Sequence, residues 1–178
     1  MYRATTGIHL QFAHHVRGHR GPCISLHGHT WRFEITLEAR ELSAEGFVVD
    51  FDLVQEQLLQ PVFQLLDHSL ALGEASFAET KDLLAPLGET LVASRKGTLG
   101  NLGDPPVCLA GTLAGAHNER PGGIKVAVFP FTPTSERLAE WLHRAAVGMF
   151  ADERVTVARA RIYESLHPDE SVADYVPA

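Results

Sequence analysis

Cysteine is scarce in this chain: its 178 residues hold two, Cys23 and Cys108. That is too few for a disulfide framework and points to a reducing compartment. Long apolar runs are missing as well. None approaches the roughly 20 residues that span a bilayer, and the opening Met-Tyr-Arg-Ala-Thr-Thr lacks the apolar core of a secretory leader. The expected location is therefore the cytoplasm, with no membrane partner. Basic charge is in deficit, 15 Lys and Arg against 22 Asp and Glu for a net charge of -7. No face-long basic run stands out, which excludes general nucleic-acid binding. Internal repeats and coiled-coil heptads are absent too. What remains, 45% hydrophobic and 21% charged, suits a soluble globular chain folding as one domain over 1–178.

Histidine, by contrast, is plentiful, with ten residues. The densest stretch is Cys23-Ile24-Ser25-Leu26-His27-Gly28-His29, with Ala13-His14 one strand upstream. Two residues apart in an extended strand, His27 and His29 project from the same face and reach one cation, while Gly28 leaves the opposite face bare. Three neutral imidazoles suit Zn²⁺ in a catalytic arrangement, because a fourth position stays open for water or a substrate oxygen. On spacing alone, solvated histidines are the alternative, and His15 and His19 compete for the same ion. Arg17 and Arg20 stand where they could meet phosphates or simply face solvent.

Periodicity supplies the scaffold. Ile8, Leu10 and Phe12 alternate with polar residues over 5–13, a half-buried strand that delivers His14. Residues 29–40 alternate more cleanly, Trp31, Phe33, Ile35, Leu37 and Ala39 against Arg32, Glu34, Thr36, Glu38 and Arg40, and antiparallel pairing of the two strands follows. After a turn at Ser43–Gly46, Asp52 can cap a helix carrying Val54, Leu58, Leu59, Val62, Phe63 and Leu66, with Pro61 as a potential kink; Asp50 reads as a helix-entry cap or turn residue. A second helix starts near Pro133, capped by Thr132 or Thr134, with Leu138, Trp141, Leu142 and Ala145 as its apolar stripe. Strands follow at 154–164 and 172–176. The order predicts an α+β fold, an antiparallel sheet with two helices on one face. Residues 71–130 depart from this plan. Strands are expected at Thr90–Ala93 and Ile124–Phe129, around a Gly/Pro-rich tip from Gly97 to Gly123.

Other residues carry chemistry more weakly. Asp67-His68 ends the first helix, where the carboxylate can orient the imidazole or help activate a distant thiol. Glu164 ends the 154–164 strand and could take a planar amidine-like edge through paired hydrogen bonds, although an exposed strand-end charge is the simpler account. His9 points away by strand parity, and His117, His143 and His167 read as surface residues.

Taken in order, these blocks resemble the 6-pyruvoyltetrahydropterin synthase family, and within it the bacterial 6-carboxytetrahydropterin synthases. The matching blocks are Leu10-Gln11-Phe12-Ala13-His14, Cys23 three residues before Leu26-His27-Gly28-His29, and Gly46-Phe47-Val48-Val49-Asp50-Phe51. Leu66-Asp67-His68, Pro133-Thr134-Ser135-Glu136 and Glu164-Ser165 complete the series. The resemblance implies a tunnelling fold whose sheets join between subunits into a barrel, assembled as a homohexamer of two stacked trimers. It implies that His14, His27 and His29 hold Zn²⁺, that Cys23 is the catalytic thiol, and that Asp67 and His68 complete its proton relay. Glu164 would anchor the pterin, with Thr134 and Ser135 near the same pocket. The implied substrate is 7,8-dihydroneopterin triphosphate and the implied product 6-carboxytetrahydropterin, a queuosine precursor. Two rival functions accompany this reading: a 6-pyruvoyltetrahydropterin synthase that eliminates triphosphate and keeps the carbon chain, and a non-catalytic protein that binds zinc and pterin. Departures from the pattern are Tyr163 where a Lys often precedes the glutamate, the run His68-Ser69-Leu70-Ala71 where an Asn is usual, and the long insertion at about 71–130.

Overall fold

Alternation decides the centre of the molecule. In strand β1 (Tyr2–His14), Leu10, Phe12 and His14 are buried, and in β2 (His27–Ala39) Trp31, Phe33, Ile35, Leu37 and Ala39 are. The two strands pair antiparallel with Leu10 opposite Trp31, Phe12 opposite His29 and His14 opposite His27. This register puts both apolar sets on one face, because side chains repeat every second residue. The computed structural model describes residues 1–84, 90–94, 107–111 and 125–178, with backbone alone for 84, 90–94 and 107–111.

Two helical segments cover that face. Asp50, rather than Asp52, caps the first: its Oδ1 accepts from the Asp52 N–H at 2.9 Å. The segment runs through α1 (Phe51–Val54), a π-helical turn (Gln55–Leu59) and α2 (Gln60–Leu66). Pro61 stands just after the wide turn. A proline cannot donate to the carbonyl four residues back and its ring crowds it, and a π turn there relieves the mismatch. Strand β3 (Ser69–Gly73) and helix α3 (Glu74–Leu84) follow, then β4 (Thr90–Ser94), β5 (Val107–Gly111) and β6 (Val126–Phe129). Helix α4 (Ser135–Phe150) is capped by Thr134, whose Oγ1 accepts from the Arg137 N–H, and buries Leu138, Trp141, Leu142 and Ala145 as its spacing predicts. Strands β7 (Val155–Ser165) and β8 (Ser171–Tyr175) close the chain.

The eight strands form one sheet in the order β4-β5-β6-β3-β1-β2-β7-β8. It is mixed rather than wholly antiparallel, since β3 runs parallel to both β1 and β6. The two helices expected on one face are α2 and α4, and a third helix adds to them. Leu70, Leu72, Val126 and Val128 pack with Ala13 and with Phe77 of α3, whereas Ala71, Ala127 and Phe129 belong to the main core. Neighbours along a strand point to opposite faces, so α3 covers the face opposite α2 and α4. Residues 71–84 are thus part of the sheet and its cover, and β5 falls inside the Gly/Pro-rich stretch from Gly97 to Gly123. The rest of that tip, with His117, lies outside the described residues. His143 is likewise no surface residue: it is 4% exposed and its Nε2 donates to the Val157 carbonyl at 3.0 Å. Burial away from solvent lowers its pKa, and that bond satisfies the ring.

Candidate metal centre and pterin pocket

The buried face of β1 and β2 changes character at one end, where apolar side chains give way to imidazoles. Phe12 and Trp31 stack with ring centroids 4.4 Å apart, and the indole N–H donates to the Phe12 carbonyl at 3.1 Å. Beyond Trp31 lie His14 and His29, their rings edge-on to the indole at 4.9 and 5.3 Å. His27 completes the group, 4.7 Å from His14 and 4.8 Å from His29 by ring centroid. The core thus becomes one wall of the site. Metal-ligating positions backed by apolar packing are held in a narrow range of orientations.

Second contacts fix the rings. His14 Nδ1 donates to the Pro133 carbonyl and His27 Nδ1 to the Ser25 carbonyl, both at 2.8 Å. A carbonyl can only accept, so the proton of each neutral ring sits on Nδ1 and the lone pair on Nε2. The Nε2 atoms of all three histidines are buried without a hydrogen-bond partner. One ligand atom from each lies within 4.8 Å of the others. Buried acceptors without partners are costly, and a shared cation satisfies all three. Three neutral imidazoles with a further position are a donor set that suits zinc. Burial, reinforced by its two imidazole neighbours, lowers the His29 pKa against the pull of Glu164. The ring therefore stays neutral at physiological pH, the form a metal needs.

Glu164 belongs to the same pocket. On β7 it follows Ala160 and Ile162 in parity, and Ile162 pairs with Phe33 on the core face. Its Oε1 is 3.3 Å from His14 Nε2 and 3.9 Å from His29 Nε2, while Oε2 accepts from the Ser135 hydroxyl at 3.3 Å. Glu164 is thus a pocket residue rather than an exposed strand-end charge. Tyr163 faces the other way, between the guanidinium groups of Arg32 and Arg161. The start of α4 ties the parts together: Pro133 holds His14, Thr134 caps the helix and Ser135 holds Glu164.

The remaining residues stand apart. Cys23 sits half-buried in a short 3-10 turn (Pro22–Ile24), its carbonyl accepting from the Val16 N–H at 2.7 Å. Asp67 Oδ1 accepts from the Gln11 N–H at 2.8 Å and Oδ2 from His68 Nδ1 at 2.5 Å. His68 takes a left-handed conformation with φ of 58°, uncommon for a residue with a Cβ and concentrated at functional sites. Its side chain is 82% exposed. Among the described residues no hydrogen bond, ion pair or ring contact joins this pair to Cys23. Arg17 is engaged by Glu79 of α3 in a two-pronged ion pair. The carbonyls of Pro133 and Ser25, which orient two ligands, carried no sequence signal; neither did the indole wall, since Trp31 reads simply as core.

The profile of the 6-pyruvoyl tetrahydropterin synthase family matches residues 4–176. The chain belongs to that family. A 6-carboxy-5,6,7,8-tetrahydropterin synthase of Rickettsia bellii is 38% identical over 74 residues, 42% of this chain and 54% of the relative. The match therefore spans about half the length of that protein. The enzyme of the same name from Bacillus subtilis is 28% identical over 107 residues, 57% of this chain and 70% of its own. Among solved structures, an uncharacterized protein of Wolinella succinogenes superposes with a TM-score of 0.72 at 20% identity over 99% of this chain and 98% of its own. The 6-pyruvoyl tetrahydropterin synthase of Plasmodium vivax gives 0.53 at 13% identity over 99% and 100%. These superpositions bear out the tunnelling fold within this family. No helix among the described residues is long and apolar enough to cross a membrane.

Proposed function

We propose that the chain is a zinc-dependent pterin lyase converting 7,8-dihydroneopterin triphosphate to 6-carboxytetrahydropterin, on the route to the deazapurine of queuosine, and working in the cytoplasm as a homohexamer. The observation that carries this reading is the convergence of three unpartnered imidazole nitrogens beside a carboxylate on the adjoining strand. The names of the Rickettsia and Bacillus relatives support the choice of reaction.

His14, His27 and His29 would hold the metal, which would supply Lewis-acid stabilisation to a substrate side-chain hydroxyl. Glu164 receives the 2-amino group and ring N–H of the pterin through paired hydrogen bonds, with Ser135 steadying its second oxygen and Thr134 setting the helix start beside it. Cys23 acts as the thiol that exchanges a proton with the substrate side chain. Asp67 accepts the Nδ1 proton of His68, which leaves Nε2 as the basic atom facing outward. Because that ring points to solvent, the relay to Cys23 is completed between copies of the chain. The excursion after Asp67-His68 influences which substrates enter.

Incubating the zinc-loaded protein with dihydroneopterin triphosphate and identifying products by mass tests the assignment. Acetaldehyde together with 6-carboxytetrahydropterin is expected. Triphosphate release with the three-carbon chain retained would instead indicate the 6-pyruvoyl reaction, and bound pterin without turnover would indicate a binding protein.

A further inference from the structure

One contact in the pocket exceeds the roles given above. Glu164 Oε1 lies 3.3 Å from His14 Nε2, yet that nitrogen has no aligned hydrogen-bond partner. Its ring already gives the Nδ1 proton to Pro133, so in the neutral ring a carboxylate oxygen faces a lone pair. Two acceptors in contact repel unless a cation lies between them. Geometry says which kind. A charge-assisted N–H···O bond is about 2.7–2.9 Å long and directed along the N–H, whereas two ligands bound at about 2.0–2.1 Å to one tetrahedral zinc sit about 3.3 Å apart, off that line. The first spacing is not seen; the second is. The same oxygen is 3.9 Å from His29 Nε2, within the span of two ligands on one cation only at an angle of about 140°, so the carboxylate must draw in toward His29 as it binds. The other oxygen is taken by Ser135, which leaves Oε1 to act as a single donor.

We propose that Glu164 Oε1 is the fourth ligand of the metal while the pocket holds no pterin, and that the carboxylate leaves the metal for the pyrimidine edge when pterin enters. This rests on the pterin reading of the pocket. The carboxylate then closes the site against water at rest and opens a coordination position only when a ligand with the right ring arrives. In this exchange one metal–oxygen bond is lost and two N–H···O bonds form, with no change of redox state.

Cobalt substitution tests it without reference to turnover. The full chain loaded with Co²⁺ should show the intense visible bands of a four-coordinate site, unaltered by azide, because no water is there to displace. Glu164→Gln should bind cobalt more than about 100-fold more weakly, beyond the 10- to 100-fold that loss of an outer contact gives, and acquire an azide-dependent spectrum. Should that variant fail to fold, Glu164→His carries the test: it restores the bands and the azide resistance but not pterin binding. Added pterin lacking any side chain should weaken cobalt binding in the unaltered protein, and cobalt should weaken pterin binding by the same factor. Unchanged cobalt affinity and spectrum in Glu164→Gln would overturn the assignment, and with pterin binding lost in that variant the pterin anchor would still stand. Pterin binding that leaves the cobalt bands unmoved would overturn the exchange. If the unaltered protein binds no pterin while the Glu164→Gln effect on cobalt is present, the pterin reading fails and the ligand assignment is upheld.

Discussion

The two clusters of titratable side chains in this chain are built in opposite ways. Of the metal-site histidines on β1 and β2, His14 and His29 pack against Trp31, the outer nitrogens of His14 and His27 are tied to main-chain carbonyls, and the inner nitrogens of all three are left without partners. Asp67 and His68 are tied to each other and to Gln11 of β1, but the imidazole stands 82% exposed on a left-handed residue. The first cluster gathers three nitrogens that could hold an ion from a single chain. The second is aimed outward into solvent. Rigidity serves the first because ligand geometry must be held to fractions of an ångström; the second needs reach, and the strain of its backbone fixes the direction in which it reaches.

Substitutions can break that contrast. His14→Ala should cut zinc affinity by more than about a hundredfold, since losing a ligand exceeds the 10- to 100-fold typical of outer contacts. Metal analysis after dialysis reads this, and full occupancy in the variant would sink the triad. His68→Ala should do the converse, lowering kcat by about 10²- to 10⁴-fold while zinc content and melting temperature stay unchanged. Mixing His68→Ala with Cys23→Ala chains should restore part of the activity if the relay runs between copies, and a mixture as inactive as its parts would place the relay within one chain.

Trp31→Ala probes how far the triad depends on the core. A large buried aromatic is removed along with its hydrogen bond to Phe12, so denaturation of the metal-free protein should show a loss of about 3–5 kcal/mol. Metal affinity should fall with it, whereas the environment of His68, followed by its ring resonances, should not change below the unfolding transition.

Acidification sharpens the contrast further. The His29 pKa is lowered by burial, so the folded metal-free chain takes up its proton later than the unfolded chain does. Stability is therefore full above the unfolded imidazole value of about 6.5 and falls as pH drops through that value toward the lowered folded one. Zinc should be retained at neutral pH and released only below that range, and half-release at or above the ordinary imidazole value would contradict the buried neutral ligand. The smallest effect is expected at the pocket rim, where Thr134→Ala removes the α4 cap and should cost about 1 kcal/mol with zinc content intact.

Much of the centre was legible without coordinates. Alternation in 29–40 placed Trp31 and Phe33 on the core face, the spacing of His27 and His29 aligned two ligands, and Pro133-Thr134 marked the start of α4. These are local signals, set by the two-residue period of a strand and the capping chemistry of a helix. The stretch after His68 misled for the same reason. Leu70, Ala71 and Leu72 form a short apolar strand buried on both faces, which has no alternation to read, and its parallel pairing with β1 joins segments more than 50 residues apart. His143 misled likewise, because only packing of α4 on β7 brings the Val157 carbonyl within reach.

By itself, then, the sequence determined which strand faces are apolar, where two helices begin and which residue types stand at ligand spacing, since each depends on neighbours a few residues away. Tertiary structure alone decided that β3 enters between β1 and β6, that α3 covers the far face, and that Glu164 and the carbonyl of Pro133 meet His14. The first two join positions some tens of residues apart and the contacts to His14 positions more than a hundred apart, and the imidazoles become a site only when burial removes water as their competing partner.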